Sequence, residues 1–292
     1  MSTSAFILAL GETGKQFVER MIKAVFGALG ALVVCHLAQA GELPQKGVCA
    51  HRGAASIRPE NTVPAFQEAA KLGAQMIEFD VWLTKDGEAV IMHDASVNRT
   101  TDGHGKIADL TLAEIRSLDA GVKKGPKFKG LKVPTLDEAL AVMPTNVWLN
   151  VHLKEGLAAA RVAAEALKRT NRLRQALLAC SAPGAAAARS VAPEIKICCM
   201  DRQRGKMNDY VQAAIEQKAD FIQLLAPPPA DLKDVVAKLQ AQEIRVNYYG
   251  IESSEGLRKL FEVGVDFPLV NDVAAGLKVA GEFGVKPNVP AP

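Results

Sequence analysis

Aromatic residues make up only 5% of the 292-residue chain, and the formal net charge is a modest +3. No run of lysine and arginine is interleaved with aromatics. The chain therefore lacks both the basic stripe and the stacking platform of a nucleic-acid binder. No Cys-x-x-Cys pair occurs among the five cysteines, which argues against a thiolate zinc site or a redox motif. Cys49, Cys180, Cys198 and Cys199 lie in short apolar runs of strand character, where a thiol packs as a small hydrophobe; one disulfide stays open. Gly-x-Gly-x-x-Gly does not follow the first strand-like run, which disfavours a dinucleotide-binding open sheet. The apolar run Ala24 to Leu37 is short for a membrane span, which takes about 20 residues.

That run fits a different use. Arg20, Met21 and Lys23 precede it and Ala38-Gln39-Ala40 follows, the layout of a charged region, an apolar region and a small-x-small cleavage site. Residues 1–40 are expected to be a signal peptide, with Met21 a possible start. The mature chain would begin near Gly41 and be exported to a periplasm or the medium.

The remainder has ordinary globular composition, 49% hydrophobic and 23% charged. Strand-like runs fall at 47–51, 76–83, 89–93, 146–153, 176–181, 195–200, 220–225, 244–249 and 267–270. Helical patterns lie between most of them, at 62–72, 135–143, 157–170, 206–217, 231–241 and 254–263. Alternating βα units predict a parallel sheet. With 89–93 taken as a hairpin extension of its neighbour, eight strands remain, the number that closes a TIM (β/α)8 barrel over residues 41–292. Residues 95–134, polar and rich in glycine and lysine, break the rhythm. They are read as a small insertion passing over the barrel mouth, with a short helix at 111–118 opened by a Thr111/Glu114 capping box. The proline-rich tail 284–292 is expected to be loose.

Within this frame, polar residues collect at strand ends. Glu78 and Asp80 lie two apart in a strand and so share a face. A hairpin about Asp86-Gly87 brings His93 roughly level with Asp80. The first strand ends in His51-Arg52-Gly53: a proton-transfer group, a fork suited to phosphate, and a sharp turn. Arg58-Pro59-Glu60-Asn61-Thr62 opens a helix, and capping alone does not explain Glu60. Asn150, His152 and Lys154 share one face of another strand, and an inward lysine is costly unless it meets an anion. Each motif alone has a plain alternative, such as solvated carboxylates, a turn, or a lysine leaving at the rim. Their convergence at one place is what would carry chemistry.

In order and spacing, His51-Arg52-Gly53, Pro59-Glu60-Asn61-Thr62, Glu78-x-Asp80, Thr84-Lys85-Asp86-Gly87, His93-Asp94 and Asn98-Arg99-Thr100-Thr101 resemble the glycerophosphodiester phosphodiesterase family. The resemblance implies a TIM barrel that hydrolyses glycerophosphodiesters to glycerol 3-phosphate and an alcohol, with one divalent metal. It implies His51 and His93 as acid and base, Glu78 and Asp80 as metal ligands, and Arg52 and Lys154 facing the phosphate. The family usually has a third acidic ligand two residues before that lysine, where this chain has His152. Calcium or magnesium is the family expectation, and imidazole tilts the site towards manganese, zinc or iron. Towards the C-terminus the family's aromatic strand and Thr-Asp-x-Pro are replaced by Asn247-Tyr248-Tyr249-Gly250 and Asn271-Asp272-Val273, so Tyr248 is expected to pack the glycerol or head group. The alternatives are a non-catalytic barrel that binds a phosphodiester, which His152 favours, and a related phospholipase. The lysines of 123–132 leave room for transient contact with an anionic membrane surface.

Overall fold

A computed structural model of the protein describes residues 42–154 and 156–291. The signal-peptide expectation for residues 1–40, and Cys35 with it, lies outside the described residues.

Eight parallel strands close on themselves: β1 (Cys49–His51), β2 (Met76–Leu83), β4 (Trp148–Leu153), β5 (Ala176–Cys180), β6 (Lys196–Cys199), β7 (Phe221–Leu225), β8 (Arg245–Tyr249) and β9 (Phe267–Val270). Closure is made by β1, which pairs with β2 on one edge and β9 on the other. This is a TIM barrel with one extra strand. The extra strand, β3 (Ala89–Ile91), runs antiparallel along β2 beyond the point where β1 ends, with Val81 opposite Ile91.

Helices cover the outside: α1 (Val63–Leu72), α3 (Leu136–Val142), α4 (Leu157–Arg169), α5 (Ala182–Arg189), α6 (Met207–Glu216), α7 (Leu232–Gln240), α8 (Ser254–Glu262) and α9 (Val273–Glu282). Two of these, α5 and α9, have no counterpart among the predicted helices. Each carries alanine and glycine in place of a clear apolar stripe: Ala-Pro-Gly-Ala-Ala-Ala-Ala-Arg in α5 and Val-Ala-Ala-Gly-Leu-Lys-Val-Ala-Gly-Glu in α9. Pro183 sits in the first turn of α5, where its missing N–H leaves nothing unpaired.

Strand alternation sorts the side chains. Along β2, Ile77, Phe79 and Val81 pack outward against the helices, and Met76, Glu78 and Asp80 face the barrel interior. The lower interior is filled by Cys49, Met76, Trp148, Cys198, Phe221 and Phe267. Trp148 meets Phe221 edge-on at 5.4 Å, and the Arg245 guanidinium lies 5.3 Å from the Trp148 ring. Both Trp148 Nε1 (2.8 Å) and Arg245 Nη1 (3.4 Å) donate to the carbonyl of Pro44, so the segment before β1 closes the bottom of the barrel.

Residues 95–134 form a small annex with its own core of Val97, Ile107, Ile115, Ala120 and Val133, packed on Val90 and Met92. It holds α2 (Leu112–Ser117), with the Thr111/Glu114 capping box formed. The annex stands beside the mouth and not across it: none of its residues lines the central cavity. The tail is also not loose. Asn288 N–H donates to Gly73 O (2.8 Å), and Asn146 bonds Val289 O (2.6 Å) and Ala291 N–H (2.9 Å). Among the described residues no helix is long and apolar enough to cross a membrane.

Candidate active site

The strand ends of β1, β2 and β4 deliver the polar residues to one cavity of about 400 Å³ at the C-terminal face of the barrel. His51, Arg52, Glu78, Asp80, His93, His152 and Lys154 all line it. The structure thus brings these seven residues together at one place.

After His51 the backbone turns through two left-handed residues, Arg52 (φ 56°) and Gly53 (φ 78°). A Cβ on Gly53 would stand 2.7 Å from the main chain of Ala65, so only glycine lets α1 approach. This turn points the Arg52 amide at Glu78 Oε2 (3.0 Å) and the guanidinium at Glu60 Oε1 (2.8 Å). Asn61, also left-handed at φ 56°, donates Nδ2–H to Asp80 Oδ2 (2.8 Å) and accepts from the Asp80 amide (3.3 Å). Arg52 Nε lies 3.5 Å from the same Asp80 oxygen.

Glu78 and Asp80 are buried, at 2% and 0% exposed. His152 Nδ1 lies 3.4 Å from Asp80 Oδ1 and 3.6 Å from Glu78 Oε1. Lys154 Nζ sits 2.9 Å from Asp80 Oδ1 and 3.1 Å from His152 Nδ1. Burial opposes the charged form of Asp80. The His152 contact and the Lys154 charge outweigh it and hold the carboxyl well below the usual range. For His152, burial disfavours the imidazolium, but the two carboxylates outweigh it and raise the affinity of the ring for a proton. Lys154, which can only donate, competes for the same nitrogen lone pair.

One donor atom each from Glu78, Asp80 and His152 lies within 4.8 Å of the other two. A net charge of −2 from two buried carboxylates, with an imidazole lone pair beside them, fits a divalent cation.

The two outer histidines are held differently. His51 Nδ1 donates to Asn271 Oδ1 (2.9 Å). The orientation of that amide is fixed because Asn271 Nδ2–H donates to Glu252 Oε1 (2.7 Å), and a carboxylate can only accept. The Nε2 edge of His51 is thus left for the cavity, and the ring packs 4.7 Å from Tyr249. His93 Nδ1 donates to Asp94 Oδ1 (2.7 Å), and Trp82 Nε1 holds the His93 carbonyl (3.1 Å). Arg99 then bridges Asp94 and Glu60 with its whole guanidinium, at 2.7–3.0 Å. The hydrogen bond from Arg99, opposed by burial and helped by His93, lowers Asp94 to about 2. Burial works against Glu60, but Arg99 and Arg52 together lower it as well. Glu60 therefore acts on the site through Arg52.

Tyr248 does not reach the cavity. It is 1% exposed, faces the helix layer and donates to Leu225 O (3.1 Å); burial pushes its phenol up to about 12. Arg245, Asn247 and Tyr249 are the inward set of β8, so Tyr249 is the aromatic at the site. Sequence reasoning also missed Asn271. Its only signal was the break from Thr-Asp-x-Pro, which says nothing of a partner 220 positions away. Gln203, Arg204 and Gln223, on the far wall, had no signal in the sequence.

The sequence profile of the Glycerophosphoryl diester phosphodiesterase family matches residues 51–275, most of the chain. The chain belongs to this family. Over 111 residues it is 50% identical to a glycerophosphodiester phosphodiesterase of Caldanaerobacter subterraneus subsp. tengcongensis, covering 38% of this chain and 46% of that protein. An uncharacterised Bacillus subtilis protein is 30% identical over 227 residues, 75% of this chain and 92% of its own. The chain spans about half or less of the length of the first curated phosphodiesterases it matches. Among solved structures, an Oleispira antarctica phosphodiesterase in complex with the product sn-glycerol-3-phosphate superposes with a TM-score of 0.71 at 26% identity. That match covers 82% of this chain and 97% of the other. A glycerophosphodiester phosphodiesterase from Agrobacterium tumefaciens gives 0.67 at 25% identity, over 79% and 99%.

Proposed function

We propose that this family member hydrolyses glycerophosphodiesters to glycerol 3-phosphate and an alcohol, with one divalent cation held by Glu78, Asp80 and His152. The observation that carries the reading is the meeting of two separately anchored histidines with this ligand set in one cavity. A binding module has no need of two proton-transfer groups.

When bound, the cation supplies positive charge to the phosphoryl oxygens as the transition state forms. Arg52 and Lys154 present their donors to the same oxygens; Glu60 and Asp80 fix where those donors point. His51, its Nδ1–H committed to Asn271, takes the proton of the attacking hydroxyl on Nε2. That hydroxyl is water, or the neighbouring glycerol hydroxyl of the substrate, which gains from proximity and yields a cyclic phosphate that water opens to glycerol 3-phosphate in a second step. His93 delivers a proton to the departing alkoxide. Asp94 offers it a full charge to balance an imidazolium, where Asn271 offers His51 only a dipole.

Manganese or zinc is the cation this ligand set favours, with calcium or magnesium the family alternative. A non-catalytic role remains the second reading, on the single observation that His152 removes a negative charge from the ligand set. Phosphorus NMR of glycerophosphoethanolamine incubated with the protein and manganese separates the two. The hydrolase reading expects conversion to the glycerol 3-phosphate resonance, abolished in His51→Ala and His93→Ala. An unchanged diester resonance leaves the binding role. Export, supported by the layout of residues 1–40, and transient contact of Lys123, Lys127 and Lys129 with an anionic membrane surface belong to the same proposal.

A further inference from the structure

The wall of the cavity opposite the metal ligands is built by the end of β7, the loop between β6 and α6, and the end of β8. Gln223 is its fixed point. Its N–H donates to the Tyr210 hydroxyl (3.3 Å), whose one proton lies between Cys199 O (2.7 Å) and Gln223 O (3.0 Å). Gln203 Nε2 donates to the Gln223 carbonyl (2.9 Å) and ties the loop to the strand. Gln223 is 6% exposed, and its side chain lines the cavity with no hydrogen-bond partner among the described residues. An amide on a pinned main chain, turned into a cavity without a protein partner, is open to a ligand.

Beside it stands Arg204. The loop turns through Arg202 in the left-handed region (φ 62°), and Gly205 N–H closes back on Arg202 O at 2.7 Å. This places Arg204 on the cavity lining. No carboxylate pairs with it among the described residues. The nearest acid in the chain, Asp201, is committed to the Ala182 amide (2.5 Å) and Gln217 Nε2 (2.6 Å). Among the described residues the only carboxylates on the cavity lining, Glu78 and Asp80, belong to the metal ligand set.

We propose that Gln223 and Arg204, with Gln203 bracing the loop between them, form a head-group subsite that selects diesters whose alcohol carries a carboxylate. This rests on the hydrolase reading above and names the substrate class of the same site. A phosphate at Arg52 and Lys154 is flanked by a glycerol, which is always neutral, and by a head group, whose charge varies. A guanidinium without a carboxylate partner, beside the Gln223 amide, complements a carboxylate; Gln203, its Nε2 committed to Gln223 O and Met200 Sδ, braces the wall. A quaternary ammonium would meet the wrong charge there, and among the described residues the only aromatic ring on that wall is Tyr249.

The test compares kcat/KM for glycerophosphoserine, glycerophosphoglycerol and glycerophosphocholine, using full-length protein with manganese. Wild type is run beside Arg204→Gln and Arg204→Glu. Arg204 is exposed, so both variants are expected to fold, with circular dichroism as the check. Wild type should favour the serine diester over the choline diester by at least about tenfold. Arg204→Gln should lose about that factor on the serine diester alone and leave the glycerol diester within about twofold. Arg204→Glu should shift the preference towards choline. Equal losses on all three substrates, or no loss on any, would overturn the subsite. Failure of wild type to cleave any of the three overturns the hydrolase reading instead. Calorimetric titration of that inert protein with the serine and choline diesters then decides the subsite separately: a serine preference lost in Arg204→Gln upholds it, and equal or absent binding sinks it.

Discussion

Arg99 lines no part of the central cavity, yet one guanidinium holds Asp94 behind His93 and Glu60 behind Arg52. Arg99→Ala should lower kcat by about 10- to 100-fold through loss of positioning, with a smaller change in KM, measured by steady-state kinetics. The same pair makes a pH-dependent contribution to stability. Asp94 titrates at about 2 in the fold and near 3.9 when unfolded, so its contribution is present above about pH 4 and lost as pH falls towards 2. After discounting for exposure it amounts to about 1 kcal/mol. The gap in unfolding free energy between wild type and Arg99→Ala should therefore be full at pH 5 and shrink by pH 2; a gap independent of pH would remove the ion pair as its cause. At this scale the sequence was legible wherever period-2 alternation operates, as at Glu78 and Asp80 or at Asn150, His152 and Lys154. The same parity applied to Asn247 would have chosen Tyr249 over Tyr248. The pairing of Asn271 with His51 was not legible, because it exists only once β9 closes against β1.

At the scale of elements, the junction between β1 and α1 carries the tightest constraint. Gly53→Ala puts a side chain at φ 78° and within 2.7 Å of the Ala65 main chain. It should cost about 2–4 kcal/mol, read as a lower urea midpoint at unchanged slope, and the shift should displace Arg52 as well. A midpoint equal to wild type would show that α1 can retreat freely. All nine strands were readable because each is a short apolar run, buried on both faces and bounded by turn residues. Helices were readable where the apolar stripe is strong, as in α4 and α7. The alanine-rich α5 and α9 carry little stripe of their own; what fixes them is the barrel surface they cover. The annex was recognisable by composition, but its place beside the mouth depends on its packing against β3, which composition does not encode.

For the molecule as a whole, closure of the barrel buries every thiol it contains. Cys49, Cys180, Cys198 and Cys199 are free and buried, and burial pushes Cys180 up to about 12 and Cys199 up to about 11. A maleimide reagent at pH 7 should leave these four unmodified in the native protein and label all of them in urea, by mass spectrometry. Rapid native labelling of any of the four would contradict the packing. The same closure gathers residues from β1 to β9 around one charged centre. The most direct measurement is release of glycerol 3-phosphate by chelator-stripped protein resupplied separately with calcium, magnesium, manganese and zinc. The expected result is no release without metal and strongest recovery with manganese or zinc, weakened at least about tenfold in His152→Ala. Full activity in the stripped protein, or recovery indifferent to His152, would contradict the metal centre drawn from Glu78, Asp80 and His152.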